Sequence, residues 1–157
     1  MQKLTIWLSY VSYPVTTAVY FERALRKHHQ VITLGPKIGD KIVEMWNLQN
    51  MKVPIVDLDI PCDSAFNFSE ALKVMPANLH PDIYLWVESV NIFFPQNLNQ
   101  LTCPKACYLI DSHLNLPQHL EWAKHFDYVF IAQKEYIKDF KAAGIPRVYW
   151  VPLGADP

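Results

Sequence analysis

The sequence predicts one α/β domain, a Rossmann-like open, mainly parallel sheet with helices on both faces. Three observations predict it. The chain has 157 residues, 51% of them hydrophobic, and a domain of that length buries about 70% of the surface its unfolded chain exposes. Short, apolar, β-branched runs recur along it, as expected of strands covered on both faces. Between several of these runs lie segments with helical apolar spacing, and strand-helix-strand order is the unit that builds parallel sheets.

Leu4 to Leu8 reads as the first strand. Pro14 suits the start of a helix, and Ala18, Phe21 and Leu25 then share one helical face, with Glu22, Arg23 and Lys27 elsewhere. Gln30 to Leu34 is the second strand, closed by Gly35 and Pro36. Lys37 to Lys52 carries no clear pattern, whereas 53–60 alternates apolar with acidic residues and stops at Pro61, which predicts a strand.

Leu72, Met75 and Leu79 give helical spacing over 69–79, ended by His80-Pro81. Strands follow over Asp82 to Val87 and, after an irregular stretch from Glu88 to Pro104, over Ala106 to Ile110. Pro117 opens a short helix to Lys124, and Tyr128 to Ile131 is a strand. Lys134 to Ala143 is a helix with Gly144 at its C-cap, and Arg147 to Val151 is the last strand. The domain is thereby expected over 1–151, with 152–157 as the start of a linker.

A formal charge of -1 and a pI near 6.6 leave no electrostatic footprint for nucleic acid. The local basic group Arg23, Arg26, Lys27, His28 and His29 lies where cations complement the end of a helix dipole. Cys62, Cys103 and Cys107 cannot all pair and lack zinc-site spacing, which suits a reducing compartment. The Leu4 to Val11 run is too short to span a bilayer and lacks signal-peptide flanks. A cytoplasmic protein without a membrane span is the expectation.

Open parallel sheets bind ligands beyond the C-terminal ends of their strands. That rule selects Ser9 and Tyr10, Glu88 and Ser89, Asp111 and His113, and Gln133 and Lys134. No glycine precedes Gly35, so the first loop lacks the dinucleotide fingerprint; P-loop and nucleophile-elbow motifs are absent too. Asp111 could orient His113 for general-base work, or the pair could cap the next helix. Gln133, Lys134 and Glu135 open a helix whose N–H groups could hold an anion, or could simply be capped by Gln133. No cofactor or metal is expected. The aromatics Trp7, Tyr84, Trp86, Trp122 and Trp150 are expected in the core or at a domain contact.

Four stretches carry a family resemblance: Tyr108-Leu-Ile-Asp-Ser-His113; Phe126-Asp-Tyr-Val-Phe-Ile-Ala-Gln-Lys-Glu-Tyr136; Phe140 with Gly144; and Val151-Pro-Leu-Gly-Ala-Asp-Pro157. With the F-x-x-A-L-x-x-x-H pattern over 21–29, they resemble the N-terminal domain of GT-B glycosyltransferases, in particular the spore-maturation CgeB-like group. The resemblance implies an acceptor-side domain whose partner, a C-terminal nucleotide-sugar-binding domain, completes the cleft. It implies Asp111 or His113 as candidates for acceptor contact or base work, with the Gln133 to Glu135 helix start facing the cleft; Ser9, Tyr10, Glu88, Gln133 and Lys134, selected by the strand-end rule, are then the expected substrate-binding residues. This chain alone is then expected to be inactive. Ser9 to Pro14 replaces the glycine-rich first loop of many relatives. The alternatives are a stand-alone nucleotide-binding domain and a protein-interaction domain without catalysis.

Overall fold

The computed structural model describes residues 2–51, 53, 55–63, 66–89 and 93–154. Among these, seven strands form one sheet: β1 (Thr5–Ser9), β2 (Gln30–Gly35), β3 (Ile60–Pro61), β4 (Ile83–Val87), β5 (Lys105–Leu109), β6 (Tyr128–Ile131) and β7 (Val148–Trp150). Their order is β3-β2-β1-β4-β5-β6-β7, and every pairing is parallel. The domain is a Rossmann-like open α/β sheet, and its strand order reverses between β1 and β4.

Side chains alternate across the pleat, so each central strand feeds two cores. Trp7, Leu34, Tyr84, Trp86, Cys107, Leu109, Val129 and Ile131 enter the larger one. Helices α3 (Phe68–Val74), α4 (Ser112–Ala123) and α5 (Ile137–Ala142) cover it through Phe68, Ala71, Ala123 and Phe140. The Trp7 indole is fully buried and donates to Leu79 O at 2.8 Å, which removes the cost of a buried N–H. The opposite core is smaller: Leu8, Tyr10, Val31, Val87 and Tyr108 pack with α1 (Ala18–Arg26) through Ala18, Phe21 and Leu25.

Two matching clamps hold the sheet's register at the strand starts. Asp82 N–H donates to Thr5 O and its carboxylate accepts from Thr5 N, both near 2.8 Å. Asp127 does the same to Lys105, whose ammonium also stands 3.2 Å from that carboxylate. In each case an aspartate just before one strand secures the first residue of its neighbour.

Four elements differ from the sequence expectation; one is the helix expected over 69–79, which runs as α3 to Val74 and gives way to a 3-10 turn at Ala77–Leu79. The strand expected over 53–60 is reduced to Ile60–Pro61, paired with Leu34 and Gly35; Pro54 lies outside the described residues. The approach is held by side chains instead of a ladder. Asp59 accepts from the Thr33 N–H and hydroxyl at 2.8 and 2.9 Å, and the Ser12 hydroxyl donates to Val56 O. The helix expected to open at Pro117 starts earlier, at Ser112, and breaks at Asn115 with φ -134° and ψ 33°. Pro117 therefore sits in the first turn after the break, where a missing N–H costs nothing.

The helix expected over 134–143 is split into a 3-10 turn (Lys134–Tyr136) and α5. Within the unpatterned 37–52 stretch lie a short α2 (Asp40–Met45) and a 3-10 turn at Leu48–Asn50. The expected linker over 152–157 is described only to Gly154. No helix among the described residues is long and apolar enough to cross a membrane.

Candidate functional site: the switch-point cleft

Where the strand order reverses, the loops after β1 and β4 diverge and leave a crevice at the C-terminal rim. A cleft of about 290 Å³ lies there. The β1 loop contributes Tyr13, Val15 and Thr17; the β4 loop contributes Glu88 and Ser89; the β5 exit and α4 contribute Ile110, Asp111, Leu114 and Asn115. Thr16 Oγ1 and Ser89 Oγ lie 3.3 Å apart and tie the first two loops together. The Ile110 N–H donates to Glu88 Oε2 at 3.3 Å, linking the second loop to the third.

Asp111 adopts the left-handed conformation, φ 55° and ψ 38°, at the N-cap of α4. An aspartate tolerates that region better than most residues, though it is uncommon outside turns. Its side chain makes no capping hydrogen bond. The carboxylate is thus exposed at the rim of the cleft rather than spent on the helix.

Behind that turn lies a buried support. Ser112 and His119 are fully buried, with Ser112 Oγ 3.2 Å from His119 Nδ1, and Gln133 Oε1 accepts from Ser112 N at 3.2 Å. Burial lowers His119 to about 4, partly offset by Asp111, so the imidazole is neutral near pH 7. Among the described residues its Nε2 has no hydrogen-bond partner, and its ring stacks on Trp122 at 5.6 Å.

Half-buried Tyr13 is pushed up to about 12, first by burial and then by the carboxylates of Glu88 and Asp111. Its phenol therefore stays protonated and can donate. Among the described residues, the cleft lining holds these two carboxylates and hydroxyl or amide groups from Tyr13, Thr17, Ser89 and Asn115, with no lysine or arginine. Such a set accepts hydrogen bonds from hydroxyl or ammonium groups and repels phosphate.

The residues selected by the strand-end rule fall in different places. Glu88 and Asp111 meet in the cleft. His113 is exposed on the first turn of α4, does not line the cleft, and makes no hydrogen bond to Asp111. Ser9 is fully buried inside β1. Tyr10 is buried against α1, where its hydroxyl donates to Glu22 Oε2 at 2.7 Å. Glu22 in turn pairs with Arg26, and Arg26 with Asp59.

Gln133 supports the Ser112 amide, while the Lys134 ammonium lies 5.0 Å from the centre of the Trp150 ring. Both stand outside the cleft lining. Tyr13, Thr17 and Asn115 were not selected by sequence reasoning, because side-chain direction in irregular loops has no period to read. Among the described residues no group of three or more His, Cys, Asp or Glu side chains converges to hold a metal ion. Comparison with protein-family models and with curated proteins finds no match to this chain.

Proposed function

We propose that the chain is the acceptor-side half of a GT-B glycosyltransferase, one that moves a sugar from a nucleotide-sugar onto a hydroxyl-bearing acceptor. The observation that carries this reading is the charge of the switch-point cleft, which presents Glu88 and Asp111 without a cationic side chain in its lining. The cleft suits a neutral polyol better than a pyrophosphate. The motifs over 108–113 and 126–136 support the same family reading.

In this mechanism Tyr13 donates a hydrogen bond to the acceptor, and Glu88 accepts one and orients it. The reacting acceptor hydroxyl gives its proton to the Asp111 carboxylate. Its oxygen bonds to the anomeric carbon as the bond from that carbon to the nucleoside diphosphate breaks, the electron pair leaving with the diphosphate. The donor is held by a second Rossmann-like domain outside these residues. Without it the reactants are not brought together, so the chain alone transfers no sugar.

A strand order of β3-β2-β1-β4 also hosts nucleotides in many proteins, and that order favours a stand-alone nucleotide-binding domain as the second reading. Thermal unfolding with a nucleoside diphosphate, a nucleotide-sugar, NAD and simple glycosides separates the two. A ligand at 100 times its dissociation constant adds about 2.7 kcal/mol of stability. The acceptor reading expects glycosides to bind, weakened by Asp111→Asn, and nucleotides to leave the midpoint unchanged. A clear upward shift with a nucleotide sinks it.

A further inference from the structure

On the face of the smaller core, a second cavity lies beside α1. This groove, of about 380 Å³, runs between α1 and the exit segment Val151–Gly154, with Tyr108 as its floor. Thr17, Tyr20, Phe21, Ala24 and Lys27 fall at i, i+3, i+4, i+7 and i+10, one stripe of about 15 Å along the helix.

Thr17 lines both this groove and the switch-point cleft. The two cavities are therefore neighbours with one side chain as their common wall. Large apolar side chains open to solvent continue from one to the other: Val15 (47% exposed) edges the cleft, and Tyr20 (49%) and Leu153 (53%) edge the groove. Chemically the cavities are opposites. The cleft carries two carboxylates, whereas among the described residues the groove's one charged side chain is Lys27, at the far end of the stripe.

We infer that the site takes an amphiphile: a hydroxyl-bearing head in the cleft and an alkyl or aryl tail in the groove past Thr17. The inference rests on the cleft being the polar binding site, as in the acceptor reading, and it names the class of acceptor. Each cavity is near the lower end of the volumes that hold small ligands, and the pair accommodates a longer one. The stems of Tyr20 and Lys27 can lie along the tail while their polar ends stay in water.

The test is a series of alkyl β-D-glucosides, methyl, hexyl and octyl, each titrated below its micelle concentration and followed in amide NMR spectra. Binding is expected to tighten about two- to fourfold per added methylene, with shifts spreading from Tyr13 and Asp111 to Ala24 and Gly154. Ala24→Trp fills the groove from an exposed helix position and is expected to abolish the chain-length dependence while methyl glucoside binds as before. Leu153→Asp attacks the opposite wall and gives the same loss if the tail lies there.

Asp111→Asn is expected to weaken every member of the series by a similar factor. A chain-length dependence that survives both groove variants overturns the tail assignment. Tail binding that responds to Ala24→Trp but not to Asp111→Asn overturns the bridging amphiphile and the acceptor reading together. Glucoside binding that responds to Asp111→Asn, with no chain-length dependence, overturns the groove alone.

Discussion

On one face of the sheet Trp86 is enclosed by Phe94, Trp122 and Phe126 with ring centres 5.3 to 5.7 Å away, beneath α4. On the other, Tyr108 meets Phe21 at 4.8 Å and then the exit segment, to which its hydroxyl donates through Val151 O at 3.0 Å. The first face is closed by packed aromatic rings; on the second, the buried Tyr108 lines a groove beside α1. The two faces are thus packed to different depths, and the ring-packed face is expected to carry more of the domain's stability than the thinner one.

The largest effect that tests this division is Trp86→Ala, which empties the packed face and is expected to cost about 3–5 kcal/mol in urea unfolding. A cost below 2 kcal/mol removes the contrast between the faces. Gly35→Ala comes next. Its φ is +148° and an added Cβ stands 2.0 Å from Tyr10 O, so the turn after β2 must move. The combined strain and overlap are expected to cost about 2–4 kcal/mol, read as a fall in the unfolding midpoint.

Acid should act through the packed face. Folded His119 is lowered to about 4 from its ordinary 6.5 by burial, so between these values the unfolded chain binds the proton first. Its contribution is fully present above pH 6.5 and is lost as the pH falls towards 4, by up to about 3 kcal/mol. His119→Asn keeps a polar atom near Ser112 and is expected to flatten that part of the stability profile. An unchanged slope in the variant assigns the acid sensitivity to other groups.

The smallest effect belongs to the thin face. Phe21→Ala removes a half-buried ring and is expected to cost about 1–2 kcal/mol, while weakening long-chain glucosides more than the methyl one. Equal losses from Trp86→Ala and Phe21→Ala would show that both faces bear the same load.

Much of the sheet was legible because parallel strands buried on both faces are predominantly apolar runs, as 4–8, 83–87, 106–110 and 128–131 are. The strand expected over 53–60 was overextended to its N-terminal side, because the alternation there reflects an approach held by Asp59 and Ser12 side chains, and the ladder is confined to Ile60–Pro61. The early start of α4 was hidden by Pro117, whose position marks the break at Asn115 rather than the helix start. At the site, the strand-end rule reached Glu88, Ser89 and Asp111. His119 had no signal beyond being one histidine in a helical run, and its burial depends on how α4 settles over the sheet.

The paired aspartates at the strand starts have a consequence for how this domain can change. A one-residue slip in a strand turns every side chain to the wrong face, and Asp82 and Asp127 forbid that slip at the rim opposite the cleft. The register anchors and the candidate cleft therefore occupy opposite ends of the same strands. The loops above β1, β4 and β5 can change in length and sequence while the two anchors keep the strands in step, so that the rim with the candidate cleft is free to vary without resetting the frame beneath it.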